Sequence, residues 1–338
     1  MRPTFVPRLI NDPFSDPGLY IPFLFEKRAL LFDLGDLHAL SPRDLLKITH
    51  AFVTHMHMDH FIGFDTLLRY FLGRDKTLYL YGPTGIIKHV EGKLAGYTWN
   101  LVDGYQYNLV LQVNEIRSDH ILTKAYACRN RFISETQPHR RPFSGIIMKE
   151  PHFYVQGVLL DHRTPCLGFS LVENFYVNII KEGLKALDLP VGPWITRFKQ
   201  ALYEERDPES EFLVSWGQGQ RIVRERRFRL SELTQQIARI SPGQKITYVA
   251  DVIGSDGNVK KFINLASDAD EFFIEAAFLH HDIWTAQKKY HLTAKEAGEL
   301  AKEAGAKNVH LFHFSPRYTG RAEDIKREAM EAFDTDPG

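Results

Sequence analysis

Three imidazoles and a carboxylate fall within six residues in Thr54-His55-Met56-His57-Met58-Asp59-His60, spaced H-x-H-x-D-H. Imidazole and carboxylate groups hold a Zn²⁺ ion whose remaining positions stay open to water. The segment follows a short apolar run, Ala51-Phe52-Val53, which reads as the end of a buried strand. Side chains alternate along extended chain, so His55 and His57 point to one side. Asp59 and His60 then fall on the turn beyond, where they can face a second metal. One such cluster cannot enclose a metal pair, so further ligands must come from later in the chain. The residues that follow, Phe61 through Tyr70, read as the start of a helix.

Candidate partners lie where other apolar runs end. Asp33 closes the run from Ala29, and Asp251 closes the run from Lys245. His162 stands between two strand-like runs, Phe153–Leu160 and Leu167–Val172. Glu275 and His313 lie in the runs Phe272–Phe278 and Asn308–Phe314. A polar group at a strand terminus sits at the rim of a sheet, where loops build sites. Each alone says little. Asp33 could cap a turn, Glu275 could serve local hydrogen bonds only, and His313 could be a core histidine. His152, His280 and His281 carry no motif and read as structural or surface residues.

Taken together the pattern resembles the metallo-β-lactamase fold superfamily, and within it the RNase Z branch, which trims tRNA 3′ ends. The first motif is intact as His55 to His60. Further matches are Leu160-Asp161-His162-Arg163-Thr164-Pro165-Cys166-Leu167-Gly168-Phe169, Tyr248-Val249-Ala250-Asp251 and Leu311-Phe312-His313-Phe314-Ser315-Pro316-Arg317-Tyr318. Glu275-Ala276-Ala277-Phe278 resembles the Glu-Ala-Thr-Phe of that branch, and the helix start at His291-Leu292-Thr293 its His-Ser-Thr segment.

The resemblance implies a four-layer αβ/βα sandwich of the α/β class: one domain spanning 1–338, with an inserted substrate-binding arm at about 174–215. It implies two zinc ions, with manganese or iron compatible with the same ligand types. One ion takes His55, His57 and His162, the other Asp59, His60 and His313, and Asp251 bridges them. A shared hydroxide would attack a phosphodiester. Asp59 would orient it or take its proton, and His291 with Glu275 would protonate the leaving 3′ oxygen. Asp33 would hold a ligand imidazole in one tautomer. Arg317 and the basic run containing Arg224, Arg226 and Arg227 would meet RNA phosphates. The implied partner is RNA, such as precursor tRNA, or a small phosphodiester, and the branch usually forms homodimers. The competing readings are a hydrolase of a thioester, lactone or amide on the same fold, and a non-catalytic RNA-binding relative.

Three segments depart from the branch, one of them at the bridging ligand, where its Gly-Asp-Thr becomes Ala250-Asp251-Val252. Its opening glycine-rich turn is replaced by Pro-rich text, Asp12-Pro13 and Asp16-Pro17-Gly18. Its Asp-Cys-Gly-Glu-Gly-Thr becomes Asp33-Leu34-Gly35-Asp36-Leu37-His38.

The elements that must position these residues are readable in outline. Thr77–Tyr81 reads as a strand closed by Gly82-Pro83. Tyr107–Ile116 and Ile121–Cys128 read as neighbouring strands. Asn178–Leu187 and Trp194–Tyr203 have helical spacing. Thr293 and Glu296 form a capping box for a helix running to Ala304, stopped by Gly305. Arg321–Phe333 is the final helix. The 338 residues, 44% hydrophobic, suffice for a large core. Lys+Arg and Asp+Glu balance at 42 each, so any polyanion site must be a local patch. Two distant cysteines, Cys128 and Cys166, exclude a disulfide framework and fit a reducing cytoplasm. The start of the chain lacks signal-peptide features, and no apolar stretch is long enough to span a membrane.

Overall fold

The computed structural model describes residues 4–134, 137–217 and 224–335. The chain forms two compact units. The first comprises Met1–Ile147, Val155–Ser170 and Lys245–Gly338, and the second Met148–Tyr154 and Leu171–Gln244.

An eight-stranded sheet follows chain order: β1 (Arg8–Leu9), β2 (Leu19–Pro22), β3 (Ala29–Phe32), β4 (Ile48–Phe52), β5 (Lys76–Pro83), β6 (Leu109–Ile116), β7 (His120–Ala127) and β8 (His139–Pro142). The next strands are β9 (Ile146–Lys149), β10 (Phe153–Asp161) and β11 (Pro165–Glu173). In the second unit β12 (Phe175–Ile179) pairs with β15 (Ala238–Pro242), and β13 (Glu211–Trp216) with β14 (Arg224–Arg229). Then β16 (Lys245–Val249), β17 (Glu271–Glu275) and β18 (Val309–Phe312) run parallel and complete a six-stranded sheet ordered β18-β17-β16-β11-β10-β9.

Alternation along each strand separates the layers of the first unit. Leu31 of β3 and Ala51 of β4 join a core with Phe64, Leu67 and Val90 from the helices Phe64–Phe71 and Ile86–Ala95. Their neighbours Phe32 and Phe52 face the other way, onto Phe169 of β11, with ring centroids 5.5 and 5.7 Å apart. Beyond the second sheet, Phe272 and Ile274 pack with Phe262 of the helix Asp256–Ala266 and with Ala294, Ala297 and Ala301 of the helix Ala294–Glu303. The order is helix, sheet, sheet, helix, as expected. Full burial of a side chain such as Phe contributes about 1.5–3 kcal/mol. Phe32, Phe52 and Phe169 are all fully buried, so the layer between the sheets holds the strand ends of both in fixed relation.

Several expected boundaries move. The helix after the histidine motif begins at Phe64, not Phe61. Met58–His60 form a 3₁₀ turn, and Gly63 N–H donates to the Leu34 carbonyl instead of joining a helix ladder. A Cβ at Gly63 would lie 2.2 Å from the Gly35 carbonyl oxygen, so glycine is required for this close approach. Strand β5 runs through Gly82-Pro83 because β6 stays paired with it to Pro83↔Ile116. Asn178–Leu187 is not one helix: Phe175–Ile179 is a strand, and only Lys181–Ala186 is helical. Strands β17 and β18 stop at Glu275 and Phe312, short of the expected ends. The helix Trp194–Tyr203 and the Thr293–Glu296 capping box stand where expected, and Gly305 has a φ of +67°. The second unit takes in the expected arm and continues to Gln244.

Candidate metal centre

Strand ends bring the polar residues together. Asp33, Asp251 and His313 each lie just past a strand of the first unit, β3, β16 and β18, with φ of 57°, 48° and 61°. Left-handed backbone is uncommon away from glycine and costs energy, so it persists where the surroundings over-determine it. Here it turns each side chain back towards the rim of its sheet.

Asp33 is fully buried. Its carboxylate accepts from the Thr54 N–H at 2.7 Å, the Thr54 hydroxyl at 2.9 Å, the Tyr248 hydroxyl at 3.0 Å and His60 Nδ1 at 2.8 Å. Four donors offset the cost of burying the charge. The Nδ1–H of His60 is thereby fixed, and Nε2 is left as the ligand atom. His162 is set the same way: its Nδ1 donates to the Tyr290 carbonyl at 2.9 Å. An Asp33→Asn variant is expected to bind metal about 10–100-fold more weakly, measured by competition with a chromophoric chelator. Unchanged affinity would remove Asp33 from the site.

The ligand-capable atoms form three overlapping groups, each within 4.8 Å: His55, His57, His162 and Asp251; Asp59, His60 and His313; and Asp251, Glu275, His291 and His313. Asp251 is central. Its Oδ2 lies 3.6 Å from His55 Nε2, 3.5 Å from His60 Nε2 and 3.6 Å from His162 Nε2, and its Oδ1 lies 3.0 Å from His313 Nδ1. His313 Nε2 is 3.2 Å from Asp59 Oδ2. Glu275 accepts from the Val252 N–H at 2.7 Å and from His291 Nδ1 at 2.7 Å.

The electrostatics call for cations. Among the described residues, the buried atoms His60 Nε2, Asp251 Oδ1 and His313 Nδ1 make no hydrogen bond. Burial opposes protonation of His60, but Asp251 and Asp33 raise its pKa to about 10. His313 is likewise raised, against burial, by Asp251. Burial and then His60 push His55 down to about 2. Burial would raise Asp59, but the His313 contact holds it at about 2. The buried carboxylates thus require positive charge, which protons or metal ions can supply. The donor set, imidazoles with one shared carboxylate, fits divalent metal ions.

No family model matches the chain. It is 28% identical over 315 residues to a ribonuclease Z of Deinococcus radiodurans, covering 92% of this chain and 90% of the relative. It is 30% identical over 314 residues to a ribonuclease Z of Geobacillus kaustophilus, covering 90% and 83%. The chain belongs to the ribonuclease Z family. The metallo-β-lactamase fold protein YhfI of Bacillus subtilis covers the same architecture at a TM-score of 0.52 and 16% identity, over 94% of this chain and 86% of that one. The fold is the metallo-β-lactamase fold, and the chain is a metal-dependent hydrolase.

Three of the four arginines expected at the substrate surface are already engaged. Arg317 lies 3.0 Å from Asp282. In the second unit Arg227 lies 3.0 Å from Glu211, and Arg226 donates to the Leu187 carbonyl. Arg224 is exposed at the start of β14, and Arg221 of the same run lies outside the described residues. Sequence reasoning missed Thr54, Tyr248 and the Tyr290 carbonyl, whose roles depend on contacts across the fold. It also missed a cavity of about 280 Å³ lined by Phe14, Asp16, Asp59, Lys289, His291 and His313 among others. Asp59, His291 and His313 were legible in the sequence, but for the wall at Phe14 and Asp16 the one signal was the Pro-rich text.

Proposed function

We propose that this ribonuclease Z family member hydrolyses the phosphodiester at the 3′ boundary of precursor tRNA, with zinc as its metal. The observation that carries the reading is the His291–Glu275 pair, 2.7 Å apart and beside the shared carboxylate Asp251. Divalent cations held by His55, His57, His162, Asp59, His60, His313 and Asp251 would acidify a water and neutralise charge building on the phosphoryl oxygens. The protein's own groups handle the protons. Asp59 stays ionised and takes a proton from the attacking water. Glu275 fixes Nδ1–H of His291, which leaves Nε2 to carry the proton for the departing 3′ oxygen. Burial opposes protonation of His291, but Glu275 and Asp251 raise it above the ordinary imidazole value, which favours an acid. An alkoxide is a poor leaving group without such a donor.

The exposed Arg224 and the remaining charge of Arg226, Arg227 and Arg317 are the proposed phosphate contacts, with stretch 174–215 as the proposed arm. A homodimer is the proposed assembly and a reducing cytoplasm the proposed compartment. Cys128 and Cys166 are both buried free thiols, which is consistent with that compartment. Among the described residues no helix is long and apolar enough to cross a membrane.

The test is cleavage of end-labelled precursor tRNA beside bis-p-nitrophenyl phosphate, with and without a chelator. A single cut at the 3′ boundary, abolished by chelation and restored by zinc, is expected. Turnover of the aryl diester alone would reject tRNA processing. Activity on neither, with two metals bound, would favour a non-phosphate bond.

A further inference from the structure

The loop Asn11–Pro17, between β1 and β2, is firmly held. Asn11 Nδ2 donates to the Asp16 carbonyl at 2.8 Å and the Asp36 carbonyl at 2.9 Å. Phe314 N–H donates to the Pro13 carbonyl at 2.7 Å, and the rings of Phe14 and Phe314 meet edge to face at 5.5 Å. The loop thus forms one wall of the cavity of about 280 Å³ that opens on Asp59, His291 and His313. Small-molecule pockets span about 300–1,000 Å³, so this one, just under the lower bound, takes nothing larger than a single nucleoside.

Which nucleoside follows from the proposed function, on which the inference rests. If His291 protonates the leaving 3′ oxygen, the ribose bearing that oxygen must enter the cavity. Its 2′ hydroxyl, on the adjacent carbon, then needs an acceptor. Two other acceptors of the wall are committed, Asp59 to His313 and the Ser15 hydroxyl to Asp12; the Ser315 hydroxyl is neutral, so the Asp16 carboxylate is the stronger acceptor beside it. The Asp16 side chain makes no hydrogen bond or ion pair among the described residues. Phe14, Phe278 and Phe314 supply apolar walls for a base. Lys289, whose Nζ lies 5.8 Å from the Phe278 ring centroid, supplies a cation for a flanking phosphate.

We infer that this cavity is the subsite for the nucleoside whose 3′ oxygen departs, and that Asp16 selects ribose over deoxyribose by accepting its 2′ hydroxyl. Asp16 is a specificity-determining residue and takes no part in the bond-breaking step. A hydrogen bond to a charged acceptor is worth roughly a tenfold to hundredfold preference.

The experiment compares two precursor tRNAs, one all-ribose and one with a single 2′-deoxyribose at the nucleotide bearing the scissile 3′ oxygen. Wild type, Asp16→Ala and Asp16→Asn are assayed, each checked for metal content and melting temperature. The 2′ hydroxyl also alters the leaving oxygen itself, but that effect is common to all three proteins and cancels when their preferences are compared. The ribose preference of Asp16→Ala should fall about tenfold or more below that of wild type. Asp16→Asn, which keeps an acceptor oxygen, should retain part of it. The same preference in wild type and Asp16→Ala overturns the inference and leaves the ribonuclease reading standing. Failure of wild type to cut the all-ribose substrate overturns both.

Discussion

Asp251→Ala is expected to lose cleavage by more than about 10⁴-fold, the upper end of what one proton-transfer group contributes, and to lose metal with it. The size follows from position. Asp251 is the only residue shared by the His55, His57 and His162 group and the Glu275, His291 and His313 group, and it lies 3.5 Å from His60. Partners that merely orient a ligand are worth about 10–100-fold in metal affinity, so the shared carboxylate should be worth more. Removing it also takes away the carboxylate that His55, His60, His162 and His313 share. Elemental analysis after dialysis, read beside initial rates, tests this. A variant that keeps two metals and stays within tenfold of wild-type activity would remove Asp251 from the centre.

His291→Ala should behave differently. Cleavage of precursor tRNA should fall about 10²–10⁴-fold, as expected for loss of a general acid, while metal content stays at the wild-type level. The leaving group supplies the control. Bis-p-nitrophenyl phosphate releases a phenolate that departs without a proton donor, so its turnover should change far less. His291 also belongs to a ligand-capable group with Asp251, Glu275 and His313, and the metal measurement separates the two roles. Loss of one metal in the variant would make His291 a ligand. Equal losses on both substrates with metal retained would make it a positioning residue for the phosphate.

The local parts of the site were legible in the sequence, and the parts built by distant contacts were not. The H-x-H-x-D-H spacing and the carboxylates at strand ends are short-range patterns, and the residues carrying them converge in space. The Thr293–Glu296 box depends on residues three apart and could be read directly. The surroundings of Asp33 could not, because Thr54 and Tyr248 reach it from 21 and 215 residues away. The same physics explains the misread elements. Phe175–Ile179 is extended because Ala238–Pro242 takes up its backbone hydrogen bonds, a partner that no local periodicity announces. Gly63 halts the helix early because the loop of Gly35 presses against it, although Phe61 and Phe64 suit a helical face. The cavity wall at Phe14 and Asp16 was visible only as a departure from a family pattern, and its location required the fold.

The left-handed backbone at Asp33, Asp251 and His313 is strain that the contacts of the same side chains hold in place. Glycine adopts these angles without the Cβ penalty, but at Asp33 it would leave four buried donors without an acceptor, so the apparent relief of strain would be a net loss of stability. An engineering campaign on this scaffold would do well to freeze those three positions first and look for its stabilising changes elsewhere.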